Sequence, residues 1–446
     1  MGQSVPEYWR KVKLGDCLVV LTDYHANGSY ERLKANVELL DTLDYAVMIR
    51  TKNFEQNNFQ GDLKYVTKAA YDFLSKSKVY PGDILMNKIA NAGSVYYMPD
   101  LRRPVSLAMN LFLLRTDENK VFQRYIYYYL KANESYVKQF AIGTAATTIT
   151  KNAVRTLDVL LPPLNEQKAI AHILGTLDDK IELNQQMNHT LEAIAHTLFK
   201  SWFIDFDPVR AKMDGRQPAG MDAETAALFP AEFEDWAIGK IPKGWKISQI
   251  QDIASRVAMG PFGSRITSDN FVPSGVPVIR GNNLVNGFIE DGFVYLTEEK
   301  ADELKSSVAY PGDIVFTHRG TLGQVGLIPE SAASPRYIVS QSQMLLAINR
   351  QVISPKIVYY FFRSPSGQQA LLANTNTTGV PSLARPSTSL KAIQMVIPNK
   401  AISDRFDKLV YSLEAKREQN VQEIVSLTAI RDSLLPKLLS GQLQVG

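Results

Sequence analysis

Two segments of the chain carry apolar residues at alternating spacings of four and three, the heptad pattern of a helix that buries one narrow seam against another helix. The first begins at Ile170 and the second at Phe406, an offset of 236 residues. We predict two long helices that pack as an antiparallel coiled coil, because a whole domain separates them in the chain. The predicted seam residues are Ile170, Leu174, Leu177, Ile181, Asn184, Leu191, Leu198, Phe406, Val410, Leu413, Asn420, Ile424, Leu427 and Leu434.

Asparagine occupies the same position in both ladders, at Asn184 and Asn420. A polar residue in an apolar seam penalises slipped registers at some cost in stability. The first helix is predicted to run from Asn165, a candidate N-cap, to Trp202, which is about 57 Å at 1.5 Å per residue. Glu166, Asp178 and Asp179 are expected on its solvent-facing sides. The alternative, two ordinary core helices of separate bundles, stays open at this point.

The rest of the chain repeats as well. VYPGDIL at 79–85 matches AYPGDIV at 309–315 at an offset of 230, and Trp9 corresponds to Trp245 at an offset of 236. A pentapeptide repeated at equivalent places indicates an internal duplication. Aromatic segments at 123–140 and 355–364 have helical spacing, which is more typical of a core than of a base-stacking surface.

We predict that the two halves are mixed α/β domains, because short β-rich runs alternate with Gly, Pro and Asn turns. The predicted fold class is therefore α/β (α+β), with two mixed domains related by a pseudo-twofold repeat and separated by the two long helices. The predicted segments are a first mixed domain at 1–160, a central helix at 161–206, a loop-like linker at 207–240, a second mixed domain at 241–398 and a C-terminal helix at 399–446.

Composition narrows the class of protein. The 446 residues are 45% hydrophobic and 21% charged, which excludes a disordered, collagenous or disulfide-scaffold protein. The single cysteine, Cys17, suits a reducing cytoplasm. Neither an 18-residue apolar run nor a signal-peptide core is present in the sequence, so we expect a soluble intracellular chain.

Charge is distributed unevenly around the net value of +4. Residues 1–160 contain 21 Lys and Arg against 16 Asp and Glu, and residues 236–398 contain 15 against 10. The segment between them, 161–235, contains 6 against 13. Two basic domains are a weak indication of a polyanionic partner, and solvated surface lysines are the alternative explanation.

The common catalytic motifs are absent from the sequence. It contains no G-x-x-x-x-G-K-[ST] loop, no G-x-G-x-x-G after a strand, no [DN]-P-P-[FYW] and no H-E-x-x-H. His189 and His196 could hold a metal only with a third ligand from elsewhere. We predict a protein that binds without catalysing and that has no metal site. A stand-alone nuclease or methyltransferase with an unrecognised site is the enzymatic alternative.

With these features the chain resembles the specificity subunit of a Type I restriction–modification enzyme. The segments that carry the resemblance are LPPLNEQKAIAHILGTLDDKIELNQQMN at 161–188, LFKSWFIDFDPVRAKMDG at 198–215, GPFGS at 260–264, the twin YPGDI and LLPKLLSGQL at 434–443.

The resemblance implies two target recognition domains, each reading one half of a bipartite site in double-stranded DNA. It further implies that the paired helices set the spacer and dock two modification subunits, which methylate adenine at N6, and that restriction subunits translocate and cleave unmodified DNA. S-adenosylmethionine, ATP and Mg²⁺ would bind those partners, and this chain would hold no cofactor and act in the cytoplasm without spanning a membrane. A rigid rod can hold two domains about one DNA turn apart, roughly 34–36 Å. The alternative function is a coiled-coil scaffold whose duplicated domains bind proteins.

Candidate DNA-contacting residues are polar side chains in loops that follow the repeated strands, because base edges and phosphates are read by Arg, Lys, Asn, Gln, Ser and Thr. For each residue the alternative is a turn-forming or solvated side chain. The candidates are Asn87, Lys88, Asn91, Thr144, Thr147 and Thr148 in the first domain, and Ser264, Arg265, Arg280, Asn282, Asn283, His318, Arg319 and Thr321 in the second.

Overall fold

The fold is taken from a computed structural model that describes residues 6–59, 61–143, 146–236, 239–376 and 378–445, without the side chain of Ser264. The chain forms two compact units. The first unit comprises the chain up to Gln185 together with the chain from Val421, and the second comprises the residues from Gln186 to Asn420. Each long helix therefore contributes one half to each unit.

In the part of the chain that the structure describes, the first unit begins with a mixed domain of ten strands and seven short helices. Its strands are β1 (Arg10–Lys13), β2 (Leu18–Asp23), β3 (Ala46–Ile49), β4 (Lys64–Val66), β5 (Lys78–Val79), β6 (Ile84–Asn87), β7 (Val95–Tyr97), β8 (Val105–Leu107), β9 (Leu111–Thr116) and β10 (Asp158–Leu161). Its helices are α1 (Leu14–Cys17), α2 (Tyr30–Asn36), α3 (Thr51–Glu55), α4 (Lys68–Phe73), α5 (Gln123–Ala132), α6 (Glu134–Lys138) and α7 (Lys151–Thr156), with 3₁₀ turns at Tyr24–Asn27 and Ser75–Ser77.

The second unit repeats this domain after the first long helix, α8 (Leu164–Phe203). Its strands are β11 (Phe233–Trp236), β12 (Gly239–Pro242), β13 (Lys246–Gln249), β14 (Ala254–Met259), β15 (Val276–Ile279), β16 (Val294–Leu296), β17 (Val308–Ala309), β18 (Ile314–Thr317), β19 (Val325–Leu327), β20 (Tyr337–Val339), β21 (Gln343–Ile348), β22 (Thr375–Asn376), β23 (Ser382–Leu383) and β24 (Gln394–Ile397). Its helices are α9 (Asp207–Met213), α10 (Ala223–Leu228), α11 (Ile250–Ile253), α12 (Glu298–Glu303), α13 (Pro355–Arg363), α14 (Pro365–Leu372) and α15 (Pro386–Ala392), with 3₁₀ turns at Gly263–Arg265, Ser268–Asn270, Gly281–Leu284 and Lys305–Ser307. The second long helix is α16 (Lys400–Leu439).

Sheet topology confirms the predicted duplication. The first domain has sheets of strand order β4-β3-β8-β5 and β2-β9-β6-β7 and a pair β1-β10, and the second has β16-β15-β20-β17, β14-β21-β18-β19 and β13-β24 in the same places. Each first-named sheet has one parallel pair, β3 with β8 and β15 with β20. The central strands β3, β6, β15 and β18 are buried throughout, as continuous apolar runs require.

The predicted aromatic helices form part of the core. In α5 the buried residues include Tyr125, Tyr128 and Tyr129, and α13 is buried from Pro355 to Phe362. These rings pack with Trp9 in the first unit and with Trp245 in the second, so the two repeated tryptophans have equivalent core positions.

The long helices pair in antiparallel fashion within each unit. In the first unit Asp178 of α8 accepts from Arg431 of α16 at 2.8 Å. In the second unit the ring of Phe199 lies 6.2 Å from that of Phe406. None of the fourteen predicted seam residues is exposed. The helix begins at Leu164, so Asn165 lies inside it rather than at its cap.

Both seam asparagines are fully buried and bonded across the helix pair. Asn184 Nδ2 donates to Glu423 Oε2 at 2.9 Å in the first unit, and Asn420 Nδ2 donates to Asn188 Oδ1 at 2.9 Å in the second. In each asparagine the amide oxygen has no hydrogen-bond partner among the described residues. A slipped register would bury both amide ends without partners, so these residues fix the alignment of each helix half.

The aromatic helix of each domain is held on the long helices by charge. Arg124 of α5 pairs with Asp179, and Tyr128 donates to Asp178 at 2.6 Å. In the second unit the buried Lys356 of α13 pairs with Glu414 at 2.8 Å. The expectation that Asp178 faces solvent was wrong, because this carboxylate binds both a phenol and an arginine. It was also wrong for Glu166, which is buried, whereas Asp179 is exposed.

The predicted linker loop at 207–240 is partly regular structure. Pro208 lies in the first turn of α9, and Asp222 caps α10 by accepting from the backbone N–H of Thr225 at 2.7 Å. Phe229 and Val209 are buried in the core of the second unit. Short helices of six or seven residues show too little apolar periodicity to be predicted, which explains the error.

The repeated YPGD sequence forms a buried turn. Gly82 and Gly312 have φ of +85° and +87°, a conformation that favours glycine. Asp83 accepts from the backbone N–H of Tyr80 at 2.7 Å, and Asp313 repeats this contact. The motif therefore has a structural role in both copies.

The arginine that pairs with this aspartate comes from a different strand in each copy. Asp83 pairs with Arg115 of β9 at 2.6 Å, whereas Asp313 pairs with Arg256 of β14 at 3.0 Å. Arg115 lies opposite Val20 in the β2-β9 register, and Arg256 lies opposite Ala347 in the equivalent pair β14-β21. The two domains have thus exchanged the arginine across one cross-strand pair.

No helix among the described residues is long and apolar enough to cross a lipid bilayer.

Candidate nucleic-acid interface

The ends of three strands meet at one edge of the second unit. The parallel strands β15 and β20 end side by side at Ile279 and Val339. β18 ends at Thr317, beside the start of β21 at Gln343. The loops that leave these ends, together with the segment 261–271 after β14, enclose a groove of about 420 Å³.

This groove, which we call the second-domain groove, is lined mainly by side chains that donate hydrogen bonds. Its cations are Arg280 and Arg319. Among the described residues that line it, none is acidic. Arg, Gln, Ser and Thr are the side chains that proteins present to phosphates and base edges. Its amides and hydroxyls are Thr317, Thr321, Gln324, Ser340, Gln341, Ser342 and Gln343.

A chain of hydrogen bonds orients the amides of the floor. Thr317 Oγ1 donates to Gln324 Oε1 at 2.8 Å, and Gln343 Nε2 donates to Thr317 Oγ1 at 3.2 Å. Ser340 Oγ donates to Gln343 Oε1. Because the oxygen of Gln324 is held in this way, its amide nitrogen is left as a donor for a ligand.

Three predicted residues, Arg280, Arg319 and Thr321, line the groove together. Arg265 and Asn282 are exposed but lie outside its lining. Arg319 is exposed and has no carboxylate within 4.0 Å in the part of the chain that the structure describes. An uncompensated guanidinium beside oriented amides is suited to a polyanion that also carries hydrogen-bond acceptors.

Two predicted asparagines are buried and bonded within the protein. Asn87 accepts from Thr51 Oγ1 at 2.7 Å and donates to Tyr96 Oη at 3.1 Å. Asn283 accepts from the backbone N–H of Arg280 at 3.0 Å and donates to the carbonyl of Asp291 at 2.7 Å. A buried amide with these partners supports the loop and is not available to a base edge.

His318 is also buried, with 7% of its surface exposed. Its Nε2 donates to the carbonyl of Gln341 at 3.1 Å. Burial lowers the pKa of His318, so the imidazole is neutral near pH 7. This residue positions the loop of Gln341 rather than presenting a cation to a ligand. Thr144 lies outside the described residues, and so does the side chain of Ser264.

In the first domain the structure brings the other predicted residues together. The backbone N–H of Ala90 donates to the carbonyl of Thr147 at 2.9 Å. Thr148 forms an isolated antiparallel β-bridge with Ile89. Asn91 is exposed in the same loop. The second domain has the equivalent arrangement, because Arg319 forms an isolated antiparallel β-bridge with Ser382. In both copies the loop after the third strand of the sheet is therefore supported by a segment from later in the chain.

Lys88 is half-buried and shares one carboxylate with a second lysine. Its Nζ lies 3.3 Å from Asp23, and Lys151 Nζ lies 2.9 Å from the same side chain. Burial alone would raise the pKa of Asp23, but the hydrogen bond and charge of Lys151 and the charge of Lys88 lower it overall. Two cations around one carboxylate leave one positive charge at this surface.

The two domains differ at the positions that correspond to the second-domain groove. Ile89 stands where the second domain has Arg319, at the offset of 230. Met109 and Leu111 stand where it has Gln341 and Gln343, at the offset of the β8 and β20 strands. The copies thus share one framework and present different chemistry from it.

Several groove residues escaped the sequence analysis. Ser340, Gln341 and Ser342, together with Gln343 at the first position of β21, form a polar run directly before the apolar residues of that strand, and this contrast was the available signal. Arg50 was missed although IRTKN at 49–53 matches IRGNN at 279–283 at the same offset as the two YPGDI segments.

The fold is a duplicated mixed α/β domain joined to two long helices, and comparison with known proteins identifies its family. The model described as Type I restriction modification DNA specificity domain matches residues 6–193 and 242–423. The chain belongs to this family and contains two copies of its domain. Specificity subunits are the non-catalytic DNA-recognition components of Type I restriction–modification systems.

Known relatives agree with this assignment. The chain is 28% identical over 414 residues to the Type I restriction enzyme HindI specificity subunit of Haemophilus influenzae, covering 83% of this chain and 88% of that one. It is 25% identical over 374 residues to the MjaIX specificity subunit of Methanocaldococcus jannaschii, covering 82% and 79%. The crystal structure of the S subunit from M. genitalium has the same fold, with a TM-score of 0.58, 15% identity and coverage of 98% and 97%.

The structure offers no group of three or more His, Cys, Asp or Glu side chains suited to a metal ion within its described residues.

Proposed function

We propose that each domain reads one half of a bipartite site in double-stranded DNA, and that the second domain does so through the second-domain groove. The observation that carries this proposal is the chemistry of the groove: two guanidiniums and seven amide or hydroxyl side chains with no acidic residue among the described lining. Such a surface attracts phosphates by charge and offers donors to base edges.

Different residues at corresponding positions support a site with two unlike halves. Arg319 and Gln341 can donate to guanine and adenine edges respectively, whereas Ile89 and Met109 offer apolar contact. One framework that carries two such surfaces supports an asymmetric target.

We propose further that the helix pair sets the spacer and docks two modification subunits, which methylate adenine at N6. Ile194 and Ile430 correspond at the offset of 236, and they are 47% and 48% exposed. An exposed isoleucine at the same place in both helices supports two equivalent docking sites, one for each modification subunit. Restriction subunits that translocate and cleave unmodified DNA would join this complex.

S-adenosylmethionine, ATP and Mg²⁺ are proposed to bind those partner subunits, and this chain is proposed to bind none of them. We also propose that the complex works in the cytoplasm, where its DNA is, and the free thiol of Cys17 supports a reducing compartment.

The test is co-expression with the adjacent modification subunit, followed by binding to a duplex that carries the target and by mapping of methylated adenines in host DNA. We expect a two-part motif with a fixed gap, and DNA affinity that falls steeply with salt. A complex that methylates without sequence preference, or a chain whose domains bind proteins but not DNA, would overturn the proposal.

A further inference from the structure

One short segment has the same geometry in both domains although its neighbours differ. IRTKN begins at the last residue of β3, and IRGNN begins at the last residue of β15. The backbone N–H of Arg50 donates to Asn53 Oδ1 at 3.0 Å, and that of Arg280 donates to Asn283 Oδ1 at 3.0 Å. Both asparagines are buried, so each arginine leaves its strand in a fixed direction.

The guanidinium groups are also held alike. Arg50 Nη2 donates to the carbonyl of Asp62, and Arg280 Nη2 donates to the carbonyl of Gly292 at 3.1 Å, a residue at the same offset of 230. The Nε of each arginine is buried without a hydrogen-bond partner among the described residues. An unpaired buried donor lowers stability, and both copies retain it. A position kept at such a cost in both copies indicates a ligand-binding role.

Each segment also leaves positive charge uncompensated. In the first domain one carboxylate, Asp62, lies 3.6 Å from Arg50 and 2.5 Å from Lys52, so two cations share one anion. In the second domain Arg280 has no carboxylate within 4.0 Å among the described residues and lines the second-domain groove. A single net positive charge therefore remains at equivalent places.

Comparison of the two domains distinguishes residues suited to contact phosphates from residues suited to contact bases. Two half-sites with different bases still share the sugar–phosphate backbone, so residues that both domains share suit phosphates and residues that differ suit bases. Arg50 and Arg280 are shared, whereas Arg319 is replaced by Ile89 and Gln341 by Met109.

We propose that Arg50 and Arg280 each contact one backbone phosphate, at equivalent places in the two half-sites. This inference rests on the proposed DNA-recognition function. It assigns to the two arginines a role in affinity and alignment, and it leaves base reading to the residues that differ between the copies.

The experiment uses the complex with its modification subunits and duplexes that carry the native or a scrambled target, titrated between 50 and 200 mM salt. Variants are Arg280→Gln, Arg280→Lys and the same pair at Arg50. We expect each Gln variant to lose affinity equally for both duplexes and to reduce the slope of log affinity against log salt by about 0.9. The Lys variants should keep the slope, and the methylated motif should not change.

A further variant, which removes a negative charge, keeps the inference testable if the Gln variants misfold. Asp62 is an exposed side chain, and Asp62→Asn should bind both duplexes more tightly with a steeper salt slope. Equal losses in the Lys and Gln variants would assign the arginines to loop support and overturn the inference, as would an altered motif or unchanged slopes. Failure of the wild-type complex to bind DNA in a salt-dependent manner would instead overturn the proposed function.

Discussion

Single residues show how one framework tolerates divergence. The aspartate of the YPGD turn is nearly buried in both domains, and a buried carboxylate needs a cation. Arg115 supplies it from one strand in the first domain, and Arg256 supplies it from the neighbouring strand in the second. Both guanidiniums lie over the tyrosine of the same turn, at 4.7 Å from Tyr80 and 5.5 Å from Tyr310. The site fixes the position of the charge but not the strand from which it comes.

This exchange predicts a rescue. Arg115→Ala should cost about 1.5–3 kcal/mol, because Asp83 loses its charged hydrogen bonds. Adding Val20→Arg, the position that Arg256 occupies in the other copy, should restore more than half of that loss. Urea denaturation of the single and double variants measures both effects. A double variant no more stable than Arg115→Ala would show that the two arginine positions are not equivalent.

Arg319 provides a test of base reading. Arg319→Ala should relax the methylated motif at one position of the half-site read by the second domain, with a loss of about 1–3 kcal/mol of discrimination. Mapping of methylated adenines measures this. Arg350→Ala is the matched control, because Arg350 is an exposed arginine paired with Glu330 outside the groove. A uniform loss of affinity without relaxed sequence would instead assign Arg319 to phosphate contact.

The sequence does not show which of the polar residues after the strands are buried and which are exposed. Asn87, Asn283 and His318 follow strands and are polar, which is the pattern of an exposed recognition loop. The structure buries all three, because side chains that support a tight loop and those that face a ligand share the same residue types. Arg280, Arg319 and Thr321 have the same sequence pattern and line the groove.

Among the helices, Glu192 joins three elements. It lies on α8, 2.9 Å from Arg363 of α13 and 3.6 Å from Arg417 of α16, with His196 at 3.8 Å. Burial alone would raise the pKa of Glu192, but the hydrogen bond of His196 and the charges of Arg363 and Arg417 lower it to about 2. The carboxylate therefore fastens the aromatic helix of the second domain to both long helices.

The pKa of Glu192 predicts an acid dependence. Since the folded pKa lies below the ordinary value of 4.5, the stabilisation is complete above that value and is lost as pH falls towards 2. Glu192→Gln should cost up to about 3 kcal/mol at pH 6, and the difference from wild type should shrink at pH 4 and again at pH 3. Urea midpoints at these pH values measure it. Glu38→Gln, at an exposed site, is the control, and a pH-independent difference for Glu192→Gln would contradict the assignment.

The elements with long periodic patterns were predictable, and the short ones were not. The heptad ladders predicted both long helices, because seam burial acts over the whole helix, and the candidate cap Asn165 placed the start of α8 to within one residue. Helix α10 depends instead on its cap, Asp222, and on the contacts of Phe229 with the core, and α9 depends on the burial of Val209 in that core. Local sequence does not contain that tertiary contribution.

Across both copies, the exposed isoleucines test the proposed assembly. Ile194→Asp and Ile430→Asp should each leave the melting temperature within about 2 °C of wild type, because surface substitutions rarely change stability by more than about 0.5 kcal/mol. Each should reduce the number of bound modification subunits from two to one, and the double variant should bind none. Native mass spectrometry of the co-purified complex measures this. Retention of both subunits in the single variants would place docking elsewhere.

The duplication itself was visible in the sequence because the turn sequence YPGDI tolerates little change. Glycine at φ near +85° and a buried aspartate leave few alternatives at those positions. The groove could not be predicted in the same way, since its residues come from four separate loops that only the sheet topology brings together.

The exchanged arginine also constrains how new specificities can arise by recombination. A crossover between β2 and β9 that joined the first domain's opening strand to the second domain's later strands would pair Val20 with Ala347 and leave the turn aspartate without a cation. The reciprocal product would place two arginines against one aspartate. Crossovers within the long helices, at the ends of the domains, avoid both defects, so exchange of intact domains is the route by which viable hybrids would be recovered.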